Sequence, residues 1–190
     1  MNKTDIIDNY PMLKCLKIYL SDINGFIAGG CFRSIFDGIT PKDADLFFRN
    51  ETDFNSAKDA YAAKEWKIIY ENKNVTGLYK KGLLRVDLVR SIYGTPEEVI
   101  SRFDFSVSKF AMDKEKVIHA ENYWRDLHLK RLVCDEGIPM PIGTFERAQR
   151  YAKYGYFMCR ETKVKLLTAI QSANQTSIEE LNKSLYQGWD

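Results

Sequence analysis

Asp43 and Asp45 stand one residue apart in DADLFF, set among apolar residues. In a β-strand residues i and i+2 share a face. Asp43, Asp45 and Phe47 therefore point one way, and Ala44, Leu46 and Phe48 the other. Two adjacent carboxylates repel unless a positive charge lies between them. A hard divalent cation does this well, because carboxylate oxygens suit Mg²⁺. A third acid lies in LLRVDLVR, where Arg85, Asp87 and Val89 face away from Leu84, Val86 and Leu88. If the two strands are neighbours, Asp87 joins the first pair. Three carboxylates can hold two metal ions, which suits phosphoryl transfer: one ion activates a hydroxyl, the other steadies the leaving phosphate. Taken alone, the same residues also read as exposed aspartates on an edge strand, paired with Lys42 or Arg85.

The segment upstream adds to the chemistry. Gly29 and Gly30 end the apolar run GFIA and open CFRSIFDG, which reads as a helix closed by Gly38. Glycines at such a turn let a backbone approach phosphate closely. Arg33, in the first helical turn, could reach the same phosphates or lie on the helix surface.

These residues need a scaffold. The apolar spacing of Ile6, Tyr10, Leu13, Leu16 and Leu20 predicts a helix over 4–21, with Pro11 as a break or late start. Short strands are predicted at GFIAGG, from Asp43, and at KIIYE, VTGLYKK and LLRVDLV. DFNSAKDAYAAKEW reads as a helix, and TPEEVISRF as another, capped by Thr95 with Pro96 first. FSVSKFAMD and KVIHA suggest a hairpin, NYWRDLHLK a short helix and RLVC a short strand. A helix is expected over 144–158, then a helical tail split near Ser172–Ser177. Tyr151, Tyr154, Tyr156 and Phe157 read as core. The whole reads as an α+β domain with a mixed sheet flanked by helices and a small helical C-terminal part. Its expected division is 1–142 and 143–190.

Composition narrows the classes. The chain has 190 residues, 45% hydrophobic and 28% charged, enough for one well-cored domain. A net charge of +2 makes no global case for nucleic acid. Arg147, Arg150, Lys153, Arg160, Lys163 and Lys165 are nevertheless clustered, with Glu161 the single acid between Arg147 and Lys165. Such a cluster suits a phosphate-rich partner or a solvated helix face. Four scattered cysteines without a CxxC pair, and two histidines, disfavour structural zinc. No apolar leader or span is visible, so an intracellular, cytoplasmic protein with reduced thiols is expected, away from membranes.

The combined pattern resembles the DNA polymerase β-like nucleotidyltransferase superfamily: a glycine pair, Dx[DE] in a strand, then a third acid on a later strand. It is most similar to the head of class II tRNA nucleotidyltransferases (CCA-adding) and bacterial poly(A) polymerases. GGCFRS…KDADLF matches GGxVRD…xDxDL, and DLVRS, with Asp87 and Arg90, matches a segment like EVxxxR. RFDFSVSKFAMD matches RRDFTxNAxA in Arg102, Asp104 and Phe105, with Phe103 in place of the second arginine. Asp126 and Leu127 match a G-xx-DL segment. GTFERAQRYAKYGYF matches (E/D)DxxRxxRxxRFxxxxGF, retaining Arg147 and Arg150, with Thr144 where the family has an acid.

The resemblance runs from about Gly25 to Phe157 and implies a nucleotidyltransferase fold. It implies Asp43, Asp45 and Asp87 as the catalytic, metal-holding residues for two Mg²⁺ ions, with Mn²⁺ as a substitute. Gly29, Gly30, Arg33, Arg90, Arg102, Asp104, Arg147 and Arg150 become nucleotide-binding candidates. The implied reaction moves a nucleoside monophosphate from an NTP, with ATP favoured, to an acceptor hydroxyl, an RNA or tRNA 3′ end. The short C-terminus favours relatives that modify proteins, tRNA or small molecules as toxins or in antibiotic resistance, while the RNA-family motifs oppose them; a third alternative is a non-catalytic nucleotide- or RNA-binding relative, against which the three retained acids argue. Head-only relatives occur in phage genomes.

Overall fold

The computed structural model describes residues 2–135 and 137–172. They form two compact units: 2–103 with 108–123, and 104–107 with 124–172. The division falls earlier in the chain than the expected boundary at 142–143.

The first unit carries one mixed sheet. Its elements are β1 (Asn2–Ile6), β2 (Phe26–Ala28), α1 (Gly30–Phe36), β3 (Asp43–Phe48), α2 (Glu51–Ala63), β4 (Lys67–Glu71), β5 (Val75–Tyr79), β6 (Arg85–Tyr93), α3 (Pro96–Ser101), β7 (Phe110–Met112) and β8 (Lys116–Ala120). Strand order is β1-β8-β7-β2-β3-β6-β5-β4. β3 and β6 pair parallel, and the other neighbours are antiparallel. The parallel pair is possible because α2, β4 and β5 intervene and return the chain in the same direction.

Alternation in β3 sorts its side chains as the sequence implies. Ala44, Leu46 and Phe48 are fully buried, as are Val86 and Leu88 of β6. The opposite face carries Phe47, which packs with Phe26, Ala28, Val99, Ile100, Ala111 and Ile118. α3 covers that face over β2, β7 and β8. It is held by a reciprocal cap: the Glu98 amide donates to Thr95 Oγ1 at 3.3 Å, and the Thr95 amide to Glu98 Oε2 at 2.7 Å. Asp43 and Asp45 continue the Phe47 face along β3.

The N-terminus differs from the expected helix. Residues 2–6 are a strand, and Ile7–Asn9 and Pro11–Leu20 are 3₁₀ turns. Leu13, Leu16 and Tyr19 are buried three residues apart, the period of a 3₁₀ helix. β1 is an edge strand held by its pairing with β8, from Asn2 opposite Ala120 to Ile6 opposite Lys116.

The last described elements are α4 (Tyr123–His128), β9 (Arg131–Leu132), α5 (Pro141–Ala152), β10 (Phe157–Met158) and α6 (Arg160–Ser172). In the second unit β9 and β10 pair parallel. Tyr151 packs edge-on against Phe105 and Tyr156, with centroids 5.7 and 6.0 Å away. Phe157, expected in the core, is 64% exposed. The helix expected over 144–158 begins earlier and ends earlier. Pro141 suits a first helical position, where its missing N–H costs nothing, and Gly155 turns the chain at φ +80° into β10. The split expected near Ser172–Ser177 lies outside the described residues beyond Ser172.

Candidate active site

The three acids meet on one face of the first unit. Asp45 lies opposite Asp87 across the parallel β3–β6 pair, and Asp43 lies opposite Arg85. The row continues across the sheet: Asp87 is opposite Gly77 on β5, and Gly77 opposite Tyr70 on β4. The Tyr70 ring lies over Gly77, where any Cβ would collide with it, and its hydroxyl lies against Asp87.

The glycine turn is at the same place. Gly29 has φ +100°, in the region that favours glycine. A Cβ there would sit 3.7 Å from Asp45 Oδ2 and 3.7 Å from the Phe103 ring. Phe103, at the position of the family's second arginine, thus puts an apolar ring on the turn instead of a cation. It also packs on Phe47, centroids 5.8 Å apart.

Arg85 enters the carboxylate group. Its guanidinium pairs with Asp43 through Nη2 and lies 3.4 Å from Asp87 Oδ1 through Nε. It also rests over the Tyr70 ring, 5.8 Å from the centroid. Asp45 has no hydrogen bond or ion pair among the described residues. Burial, then Asp43 and Asp87, push its pKa up to about 7 against the pull of Arg85. Burial also raises Asp87, opposed by Tyr70 and Arg85.

The donor set fits a hard divalent cation. It is all carboxylate oxygen, Asp45 is uncompensated, and the buried Asp87 Oδ1 accepts no hydrogen bond. As they stand, no three acidic, histidine or cysteine side chains among the described residues converge on one ion position. Arg85 bridges two of the three candidates.

The other predicted residues have surroundings of their own. Arg33 is buried and donates to Ser34 Oγ at 3.0 Å. Arg90 is directed elsewhere: it donates to the Asn72 carbonyl, lies 3.8 Å from Glu71 and rests over the Phe54 ring. It braces the β4–β5 turn. Arg102 is exposed at the end of α3. Asp104 belongs to the second unit, where it pairs with Arg147 and accepts from Thr144 Oγ1 at 3.0 Å. Thr144 is fully buried, and Arg150 is exposed on α5.

Arg85, Tyr70 and Phe103 are the neighbours that sequence reasoning did not place in the site. One signal was present. In EVxxxR the acid stands five residues before the arginine, and five before Arg90 is Arg85; Asp87 follows two residues later, on the same face.

Comparison with known proteins agrees with this architecture. The chain is similar to a Thermotoga maritima CCA-adding enzyme complexed with tRNA (TM-score 0.66, 19% identity, 100% of this chain and 52% of that one). It is similar to CCA-adding enzymes in complex with ATP (0.67, 17%, 100% and 53%) and with CTP (0.65, 18%, 100% and 52%). At these identities the likeness shows the fold alone, and it bears out the mixed-sheet nucleotidyltransferase fold read from the glycine and aspartate pattern. A curated relative, Gabija anti-defense 2 of Bacillus phage SPbetaL7, is 22% identical over 161 residues. The match takes in 84% of this chain but 40% of that relative, so the chain spans less than half of its length. A family model for Gabija anti-defense 2 matches residues 4–130, more than half of the chain and including all three acids. The chain therefore belongs to the Gabija anti-defense 2 family and is built on the fold of the polymerase β-like nucleotidyltransferases.

Proposed function

We propose that this chain is a metal-dependent nucleotidyltransferase. It binds an NTP, with ATP the favoured donor, and moves the nucleoside monophosphate to an acceptor hydroxyl. The acceptor oxygen bonds to the α-phosphorus, the bond from that phosphorus to the bridging oxygen breaks, and pyrophosphate leaves; the hydroxyl proton passes to solvent. The observation that carries the reading is the placement of Asp45 beside Asp87, with Asp43 on the same face and Gly29 against Asp45.

Asp43, Asp45 and Asp87 would hold Mg²⁺, for which Mn²⁺ can substitute; when bound, the metal neutralises the triphosphate and activates the hydroxyl. The turn at Gly29 and Gly30 leaves the backbone open for phosphate to approach. Arg147, fixed by Asp104, and Arg150 give the second unit basic side chains of its own on α5. The acceptor favoured is an RNA 3′ end, because the fold neighbours include enzymes in complex with tRNA, ATP and CTP. The name of the matched family supports a role against a host defence.

A second reading, nucleotide binding without transfer, is favoured by one observation: Arg85 already pairs with Asp43 and Asp87, where a metal ion would sit. Incubation with each α-³²P-NTP, Mg²⁺ and either total RNA or host protein separates the two. Label in RNA 3′ ends, lost in Asp45→Asn, supports transfer to RNA. Label in protein moves the acceptor. NTP binding with no label in any fraction favours the second reading.

A further inference from the structure

The two charge rows of the site are unequal. In one, Arg85 lies opposite Asp43 and reaches Asp87 as well. In the other, Asp45 lies opposite Asp87 and has no cation of its own. The Arg85 side chain is 39% exposed, so its charge is screened only in part, while the Asp87 side chain is 11% exposed. Tyr70 backs the guanidinium with its ring. That ring reaches across β5 because residue 77 is glycine; a Cβ there would displace it.

With all three carboxylates ionised, as a bound cation requires, the one guanidinium leaves two negative charges, the charge of one divalent ion. Asp45, beside the Gly29 turn and opposite Asp87, is where the uncompensated part lies.

We propose that Arg85 fills one of the two cation positions of this site, so that the resting protein takes up a single divalent ion, at Asp45. A second ion enters only when the guanidinium leaves Asp43 and Asp87. Arg85 is thus a positioning residue that sets metal stoichiometry by occupying Asp43 and Asp87. The inference rests on the nucleotidyltransferase reading of the site.

The test is a Mn²⁺ titration of the whole chain, counting free ion by electron paramagnetic resonance. Wild type should bind one ion, Arg85→Gln two, and Arg85→Lys one. Two ions in wild type would overturn the inference and leave the transferase reading standing. One ion in both wild type and Arg85→Gln would overturn the role of Arg85. No ion in any variant would overturn the inference, and with it the metal-dependent reading. Circular dichroism checks that Arg85→Gln folds. If it does not, the Arg85 Nε–H resonance of ¹⁵N-labelled wild type decides instead. It should hold its position through the first equivalent of Mg²⁺ and move only beyond it; movement with the first equivalent overturns the inference.

Discussion

Asp45 and Asp87 stand directly opposite each other on the parallel strands β3 and β6, two like charges held as lateral neighbours. Like charges so placed oppose folding. Asp45→Asn should therefore raise the stability of the metal-free protein, by on the order of 1 kcal/mol. The same change should lower nucleotidyl transfer at least about a hundredfold, as expected when stability has been given up for function. Urea unfolding in a chelator and labelling with Mg²⁺ measure the two effects. A variant that is destabilised and fully active would contradict both.

The raised pKa of Asp45 gives stability a defined pH dependence. Its folded value is about 7 against an ordinary 3.8, so the folded protein keeps a proton that the unfolded chain releases. This contribution is fully present below about pH 4 and is lost as pH rises toward 7. In chelator, the protein should be more stable at pH 5 than at pH 8, and Asp45→Asn should reduce that difference. Glu98 and Glu71 are lowered by their hydrogen bonds and act in the opposite sense, but only as pH falls through their own acidic range. Unfolding curves at the two pH values are the check.

Gly77→Ala probes the cross-strand row without touching a charge. The new methyl would collide with the Tyr70 ring, which must rotate off β5 and away from Asp87 and Arg85. A cost of roughly 1–3 kcal/mol is expected. Tyr70 has its hydroxyl pKa raised by burial and by Asp87, so its ultraviolet titration should move back toward the ordinary tyrosine range in this variant.

Thr95→Ala removes half of the reciprocal cap on α3, the helix that covers the Phe47 face. About 0.5–2 kcal/mol should be lost. Because the cap's hydrogen bonds join Thr95 to Glu98 and involve none of the three acids, Mn²⁺ binding should be unchanged. Thermal unfolding and the metal titration test the two halves separately.

Much of this was readable because the rules involved are local. Alternation in DADLFF fixes which residues face the core, and the same rule applied to VDLV puts Asp87 with the other acids once the strands adjoin. Thr95-Pro96 marks a helix start wherever it occurs. The N-terminus was misread because Leu13 and Leu16, three apart, fit an α-helix as well as a 3₁₀ helix, and Leu20 pointed to the former. Tyr19, also buried, points to the latter, and only the packed sheet shows that it is buried. β1 carries no apolar alternation, since NKTDI is largely exposed and is a strand only through β8. The site was legible in its acids and its glycines and opaque in its cation. Arg85 was visible as a possible partner of exposed aspartates, but register across four strands is needed to see it between Asp43 and Asp87 with Tyr70 behind it. Arg90 shows the converse: a motif position whose side chain the fold uses to brace a turn.

The most direct test of the central claim is pyrophosphate release by the intact chain, supplied with ATP, Mg²⁺ and RNA with free 3′ ends. Release that depends on RNA and Mg²⁺, and is abolished separately by Asp43→Asn, Asp45→Asn and Asp87→Asn in folded protein, is the expected result. Release that survives in all three variants would contradict it.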